Sequence, residues 1–176
     1  SEGMIECFGS NGNGQSNKGK PKAASKGRYV QVSAGGVHTC GLTSEGMIEC
    51  FGSNRTGQLE KGKPKAASKG RYVQVSAGIG HTCGLTSEGM IECFGSDGQT
   101  NKGKPKAASK GRYVQVSSGF QNTCGLTSEG MIECFGRADT GQSNKGKPKA
   151  ASKGRYVQVS AGGGHTCGLT SEGMIE

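Results

Sequence analysis

The stretch HTCGLTSEGMIECFG, His38 to Gly52, returns unchanged from His81 to Gly95, and again from Asn122 to Gly136 with asparagine in place of the histidine. Each time its two cysteines are separated by nine residues. One set of cysteines stands at 7, 50, 93 and 134, in steps of 43, 43 and 41; the other stands at 40, 83, 124 and 167, in steps of 43, 41 and 43. The chain is therefore four copies of one unit of about 43 residues, with boundaries near 7–49, 50–92, 93–133 and 134–176. The segment KGKPKAASKGRYVQV is identical in all four, starting at Lys18, Lys61, Lys102 and Lys145. Differences concentrate in the loop after CFG and in the triplet before TC. Such identity is what a recent expansion, or an array built from a consensus, leaves.

The hairpin accounts for the cysteine spacing. LTSEGMI reads as a three-residue turn, Ser44-Glu45-Gly46, closed by glycine in the left-handed region. Thr43 then faces Met47, Leu42 faces Ile48, Gly41 faces Glu49, and Cys40 faces Cys50. Counting outward, the cysteines fall on a non-hydrogen-bonded pair, where side chains approach most closely. A cross-strand disulfide fits there with little backbone movement. The same register pairs Cys83 with Cys93 and Cys124 with Cys134. Closing so short a loop stabilises by about 2–3 kcal/mol in the chain-entropy model. Zinc and reduced packing cysteines are the rival readings. Zinc ligands usually come in tight pairs such as C-x2-C, which this spacing is not.

Composition points the same way. Only 31% of residues are hydrophobic and 34 are glycine, with no tryptophan, so a conventional core is out of reach and staples or stacked neighbours are needed. RYVQVSAG supplies a third strand, with Val30 and Val32 expected on one face, and the lysine-rich stretch reads as loop. Each unit is thus an all-β, three-to-four-stranded antiparallel sheet that wants a neighbour on both sides. No apolar run is long enough to span a membrane. No secretory leader is legible, and the chain starts inside a repeat, so any targeting segment is expected outside it.

The net charge of +9 is unevenly placed: 20 of the 22 Lys and Arg lie in the four basic stretches, and 10 of the 13 acids lie in the five SEGMIE copies. The basic stretches read first as solvated edges guarded against aggregation. A polyanionic glycan is the functional alternative; nucleic acid is disfavoured, because no aromatic residues interleave with the lysines. No catalytic constellation appears, and neither cofactor nor metal is implied. Asp97 and Asp139 lie in variable loops, and His38, His81 and His165 repeat at a strand start that suits a structural hydrogen bond.

VSAGGVHTCGLTSEGMIECFGSNRTGQ resembles the repeat of the regulator of chromosome condensation family, through Ala34, Gly35, His38, Thr39, Leu42, Thr43, Glu45, Gly46, Gly52, Asn54, Gly57 and Gln58. The resemblance runs through all four copies and implies β-propeller blades. The disulfide-containing secreted members, and a family of secreted bacterial β-lactamase-inhibitory propellers with short blades, are also similar. Phe51 stands where the family usually has tryptophan, and there are four units rather than seven. The chain both starts and finishes with SEGMIE, so one strand slot would be claimed twice in a closed ring. An open superhelical array, or part of a larger propeller, is therefore expected over a closed four-blade ring. Cys7 and Cys167 are the two halves of one such hairpin and are expected to bond, within a ring or between successive copies.

These features imply a non-enzymatic, extracellular structural repeat protein, a stalk, coat or fibre, self-associating with further copies of the repeat. The alternative is a propeller-type binding module recognising a protein or a polyanionic glycan through Val37, Ile79, Phe120, Gln121, Asn54, Arg55, Asp97, Arg137 and Asp139. Asn54-Arg55-Thr56 is also a glycosylation acceptor for a chain secreted by a eukaryote.

Overall fold

A computed structural model of the protein describes residues 3–59, 63–95, 104–136 and 147–176. Among the described residues eleven strands follow one another: β1 (Tyr29–Ala34), β2 (His38–Thr43), β3 (Ile48–Gly52), β4 (Tyr72–Ala77), β5 (His81–Thr86), β6 (Ile91–Gly95), β7 (Tyr113–Ser118), β8 (Asn122–Thr127), β9 (Ile132–Gly136), β10 (Tyr156–Ala161) and β11 (Thr166–Thr170). They form three-stranded antiparallel sheets β1-β2-β3, β4-β5-β6 and β7-β8-β9, and a two-stranded sheet β10-β11. Residues 174–176 begin a third strand on β11, where Gly168 and Glu176 exchange both backbone hydrogen bonds. A weak fourth edge runs along each complete sheet, as in the isolated bridge Ile48–Lys65. The connection before β1 is irregular apart from one 3-10 turn, Asn17–Gly19.

The hairpin register is the one the turn demands. Gly46 has φ +76°, Thr43 N–H donates to Met47 O, and Cys40 stands opposite Cys50. Disulfides join Cys40–Cys50, Cys83–Cys93 and Cys124–Cys134, each with Cα atoms 4.0 Å apart. Cys7 and Cys167 are free thiols, so the bond expected between them is not made within one chain.

The first strand departs from simple alternation. Its pairing shifts between Tyr29 and Gln31, and the same shift recurs in β4, β7 and β10. The bulge puts Val30 and Val32 on different faces, contrary to the alternation expected: in the second copy Val73 is 46% exposed while Val75 is 2% exposed. The bulge turns Tyr29 onto Gly41, where any Cβ would strike the ring. The tyrosine hydroxyl then reaches the buried Glu49 carboxylate at 3.0 Å. Ser25 also donates to Glu49 through its backbone N–H and its hydroxyl. Glu92 and Glu133 are held identically by Ser68 with Tyr72 and by Ser109 with Tyr113. Half of the hairpin acids are therefore consumed inside their own sheet.

The apolar core lies between sheets. Cys40, Leu42, Ile48 and Cys50 of the first blade pack with Tyr72, Val75 and Ala77 of the second. Cys83, Leu85, Ile91 and Cys93 pack with Tyr113 and Val116, and Cys124, Leu126, Ile132 and Cys134 with Tyr156 and Val159. The inner strands follow one another, β1 beside β4, β4 beside β7 and β7 beside β10, and no comparable packing joins β10 back to β1. The chain is an open arc of blades, and each disulfide is a wall of an interface as well as a staple.

Candidate functional site: the blade faces and the variable rim

Hydrogen bonds fix how one blade seats on the next. Gln31 Oε1 accepts from Val75 N–H at 2.9 Å, and Ser33 Oγ accepts from Ala77 N–H at 2.9 Å. Gln74 with Ser76, and Gln115 with Ser117, do the same at the next two junctions. Deeper in, His38 Nε2 lies 2.8 Å from Thr82 Oγ1, and His81 Nε2 lies 2.9 Å from Thr123 Oγ1. Thr82 spends its hydroxyl proton on Gln58 O, so the histidine donates from Nε2–H and its Nδ1 is the bare acceptor. That Nδ1 is buried without a partner in both residues. Burial pushes the pKa of His38 down to about 4. Burial, with the nearby His38, does the same to His81. Asn122 replaces the ring at the third junction and donates from Nδ2 to Thr166 Oγ1 at 3.3 Å. The imidazoles are thus structural donors at two of the three junctions, and an amide takes their place at the third. Among the described residues no group of three His, Cys, Asp or Glu is gathered for a metal.

The outermost blades show the same faces without a neighbour. On the first, Val32 is 54% exposed where Val75 and Val116 are 2% exposed. On the fourth, Ile175 is 77% exposed where Ile48 and Ile91 are 1% exposed, and Gln158, Ser160 and His165 are exposed where their counterparts are partly or fully buried. Cys167, Leu169 and Ile175 line a cleft on that face, and Met4, Ile5, Tyr29 and Val32 line one on the first. Sequence reasoning did not single out these residues as a surface; the signal was the identity of YVQVS in every copy.

A second surface is the rim at the end of the inner strands. The loops from β1, β4, β7 and β10 surround a shallow concavity of about 310 Å³ lined by glycines, with Ile79 and Phe120 as its large side chains. Phe120 is 47% exposed. Val37 and Gln121 sit in the same loops but not on this concavity. Asn54 and Arg55 are exposed in the loop after β3, where Asn54 Oδ1 accepts from Leu59 N–H at 2.8 Å. Asp97, Arg137 and Asp139 lie outside the described residues. On the outer edge Lys22 stands over the Phe51 ring at 5.7 Å and Lys106 over Phe135 at 5.6 Å, so part of the basic stretch is spent on the phenylalanines.

Three-stranded blades seated face to face around an arc define a propeller-type repeat protein. Residues 29–58 and 72–99 match the regulator of chromosome condensation (RCC1) repeat, and the other two copies share their framework. The fold is similar to that of the CRINKLY WD40 ectodomain of the Arabidopsis thaliana receptor kinase ACR4, with a TM-score of 0.73 and 22% identity over 96% of this chain and 60% of that one. It is also similar to yeast RCC1 (Prp20), solved bound to Kap60, at 0.76 and 20% over 98% and 51%. The ectodomain of the Physcomitrella patens receptor kinase CR4 follows at 0.69 and 21% over 90% and 41%. This chain therefore spans 41–60% of the length of these three structures. No curated protein matches its sequence.

Proposed function

We propose that the chain is a non-enzymatic, extracellular repeat scaffold that associates with further copies of the same repeat, blade to blade. The observation that carries this reading is the threefold recurrence of one interface, in which the framework of each blade meets the same complement on the next. Three disulfides suit an oxidising compartment, and two of the similar folds are receptor-kinase ectodomains. No helix among the described residues is long and apolar enough to cross a membrane. Light scattering across a hundredfold range of concentration tests the reading: the mean mass is expected to grow with concentration, and a constant monomer mass refutes it.

The rim favours a second activity of the same scaffold. Ile79 and Phe120 offer an apolar hold on a protein partner beside glycine backbone, in loops whose sequence varies while the framework does not. The exposed lysines of the basic stretches offer a polyanionic glycan a separate, salt-sensitive contact. Glycan-array binding that survives Phe120→Ala but is abolished by raised salt would assign such a ligand to the lysines rather than to the rim.

A further inference from the structure

The extra residue of each inner-strand bulge is a valine. In β1 the pairing steps from Tyr29 opposite Thr43 to Gln31 opposite Leu42, so Val30 has no counterpart on β2. Val73, Val114 and Val157 stand in the same position in β4, β7 and β10. A bulge re-aims the side chains beside it. Here it turns the tyrosine into the sheet and leaves the valine outside. Val73 and Val114 belong to blades that have a neighbour on both sides, and each is still 46% exposed. The position is valine in every copy, whereas the rim loops differ.

These valines and the glutamines that follow them line one open cavity of about 690 Å³ along the inner strands, with Leu42, Leu85 and Leu126. Among the described residues no charged side chain and no histidine borders it. The glutamines carry its polar chemistry. A backbone N–H can only donate, so Val75 N–H on Gln31 and Val116 N–H on Gln74 fix each amide with its oxygen turned to the next blade. Val159 N–H fixes Gln115 in the same way. The Nε2 hydrogens of these three glutamines meet no acceptor among the described residues, and each side chain is half-buried. The cavity therefore combines valine methyl groups with oriented amide donors and no charge. Apolar walls with a few oriented polar groups, in a volume of about 300–1,000 Å³, are the attributes of a small-molecule site.

We propose that this cavity binds an uncharged small molecule with an apolar body and carbonyl or ether oxygens. The body lies on the row of valines, and the oxygens accept from the glutamine Nε2–H groups. This goes beyond the scaffold reading and does not depend on it, because one chain supplies the whole wall. The lining selects against other ligand classes. A cation finds no carboxylate here. An anion finds no lysine or arginine, although the chain carries a net charge of +9. A ligand rich in donors finds the oxygens of Gln31, Gln74 and Gln115 already spent on backbone N–H groups.

The test titrates the full chain with Prodan, an uncharged naphthyl ketone whose emission moves to shorter wavelength in an apolar site. The wild type is expected to give a saturable shift. Ethyl octanoate, an uncharged ester, should displace the probe, and octylammonium should not. Val73→Ser with Val114→Ser removes methyl groups from exposed positions and should weaken binding about tenfold. Gln74→Glu with Gln115→Glu keeps an acceptor for Val116 and Val159 N–H but deletes the amide donors, and should weaken binding about fivefold. Phe120→Ser, at the rim, should leave it unchanged. No saturable shift with the wild type, or displacement by octylammonium as strong as by the ester, overturns the proposal without recourse to any variant. Wild-type affinity in either double variant, or loss of the probe in Phe120→Ser, overturns it as well. Self-association keeps its own readout, the mass by light scattering, and stands or falls separately.

Discussion

Replacing His38 and His81 together by asparagine should remove a pH dependence that the blade seats impose. Both rings are fully buried at junctions between blades, and each has a bare Nδ1 that finds no donor. The wall around His38 is tight, since a Cβ on Gly35 would lie 2.8 Å from its Cε1 and 3.0 Å from its Nδ1. The folded pKa of about 4 lies below the unfolded value of 6.5 for each ring. Above pH 6.5 both states are neutral and nothing is lost. Between pH 6.5 and pH 4 the unfolded chain takes up protons that the folded chain refuses, so stability falls as the pH falls. Below pH 4 the folded protein protonates too and this loss levels off. From pH 7 to pH 5 each histidine should cost about 2 kcal/mol, and the pair about 4 kcal/mol.

Asn122 shows that the substitution is tolerated by this seat: its Nδ2 makes the bond to Thr166 and has nothing to titrate. Urea unfolding of wild type and double variant at half-unit steps from pH 7.5 to pH 4 measures the effect. The wild-type midpoint should fall steeply over the interval and the variant's much less. The loss should be local as well, because the junction of blades three and four holds Asn122 rather than histidine. Hydrogen exchange at pH 5 should open β2 and β5 before β8. A wild-type midpoint that is flat from pH 7 to pH 5, or a variant with the same slope, refutes the argument.

The remaining predictions concern the framework and one modification. Replacing Cys83 and Cys93 by serine removes a staple closing a short loop and should cost about 2–3 kcal/mol, read as a lower urea midpoint than the wild type under non-reducing conditions. Tyr113→Phe deletes the donor 2.9 Å from the buried Glu133 carboxylate; the loss should be about 1.5–3 kcal/mol by the same assay. Gly125→Ala places a Cβ against the Tyr113 ring and Ile91, and should destabilise by about 1–3 kcal/mol, with less soluble protein. Expressed through a eukaryotic secretory route, the chain should carry glycan on Asn54, and peptide-N-glycosidase should lower its mass.

The hairpin and its cysteine pairing are legible because they are local. A glycine-closed turn sets the register from Thr43 and Met47 outward, and strand alternation does the rest. The bulge at Val30 is not legible, because YVQVS alternates as well as any regular strand. What breaks it is Tyr29 on a different strand from Gly41, lying in the space that a residue without a Cβ leaves. The inward turn of Glu49 has the same source. Alternation puts Glu49 on the face of Thr39 and Phe51, but its partners Ser25 and Tyr29 lie 24 and 20 residues away. The repeat count alone leaves the arc undecided; the way β1, β4, β7 and β10 succeed one another is a property of how blades meet.

The distribution of sequence change follows from the interface. Leu42, Ile48 and the Cys40–Cys50 bond face the following blade, whereas Tyr29, Val32 and Ala34 face the preceding side. Each framework residue therefore has one complement in the next unit, and its copies meet the same complement at every junction. A change in one copy must fit a neighbour built for the original, so a lone substitution is penalised wherever it falls. Residues 36–37, 79–80, 120–121 and 163–164 lie at the rim, where blades meet through backbone bonds such as Gly36 N–H to Gly78 O, and their copies differ. The unit that is two residues shorter loses them after Gly95, in the loop and outside the hairpin register. Two substitutions fall within the seats: Ser118, alanine in the other copies, keeps the backbone bond to Ser76 Oγ and adds a hydroxyl that donates to Ser76 O at 3.1 Å, and at Asn122 the Nδ2–H of the amide replaces the Nε2–H of the ring, so Thr166 still receives the bond that Thr82 and Thr123 receive.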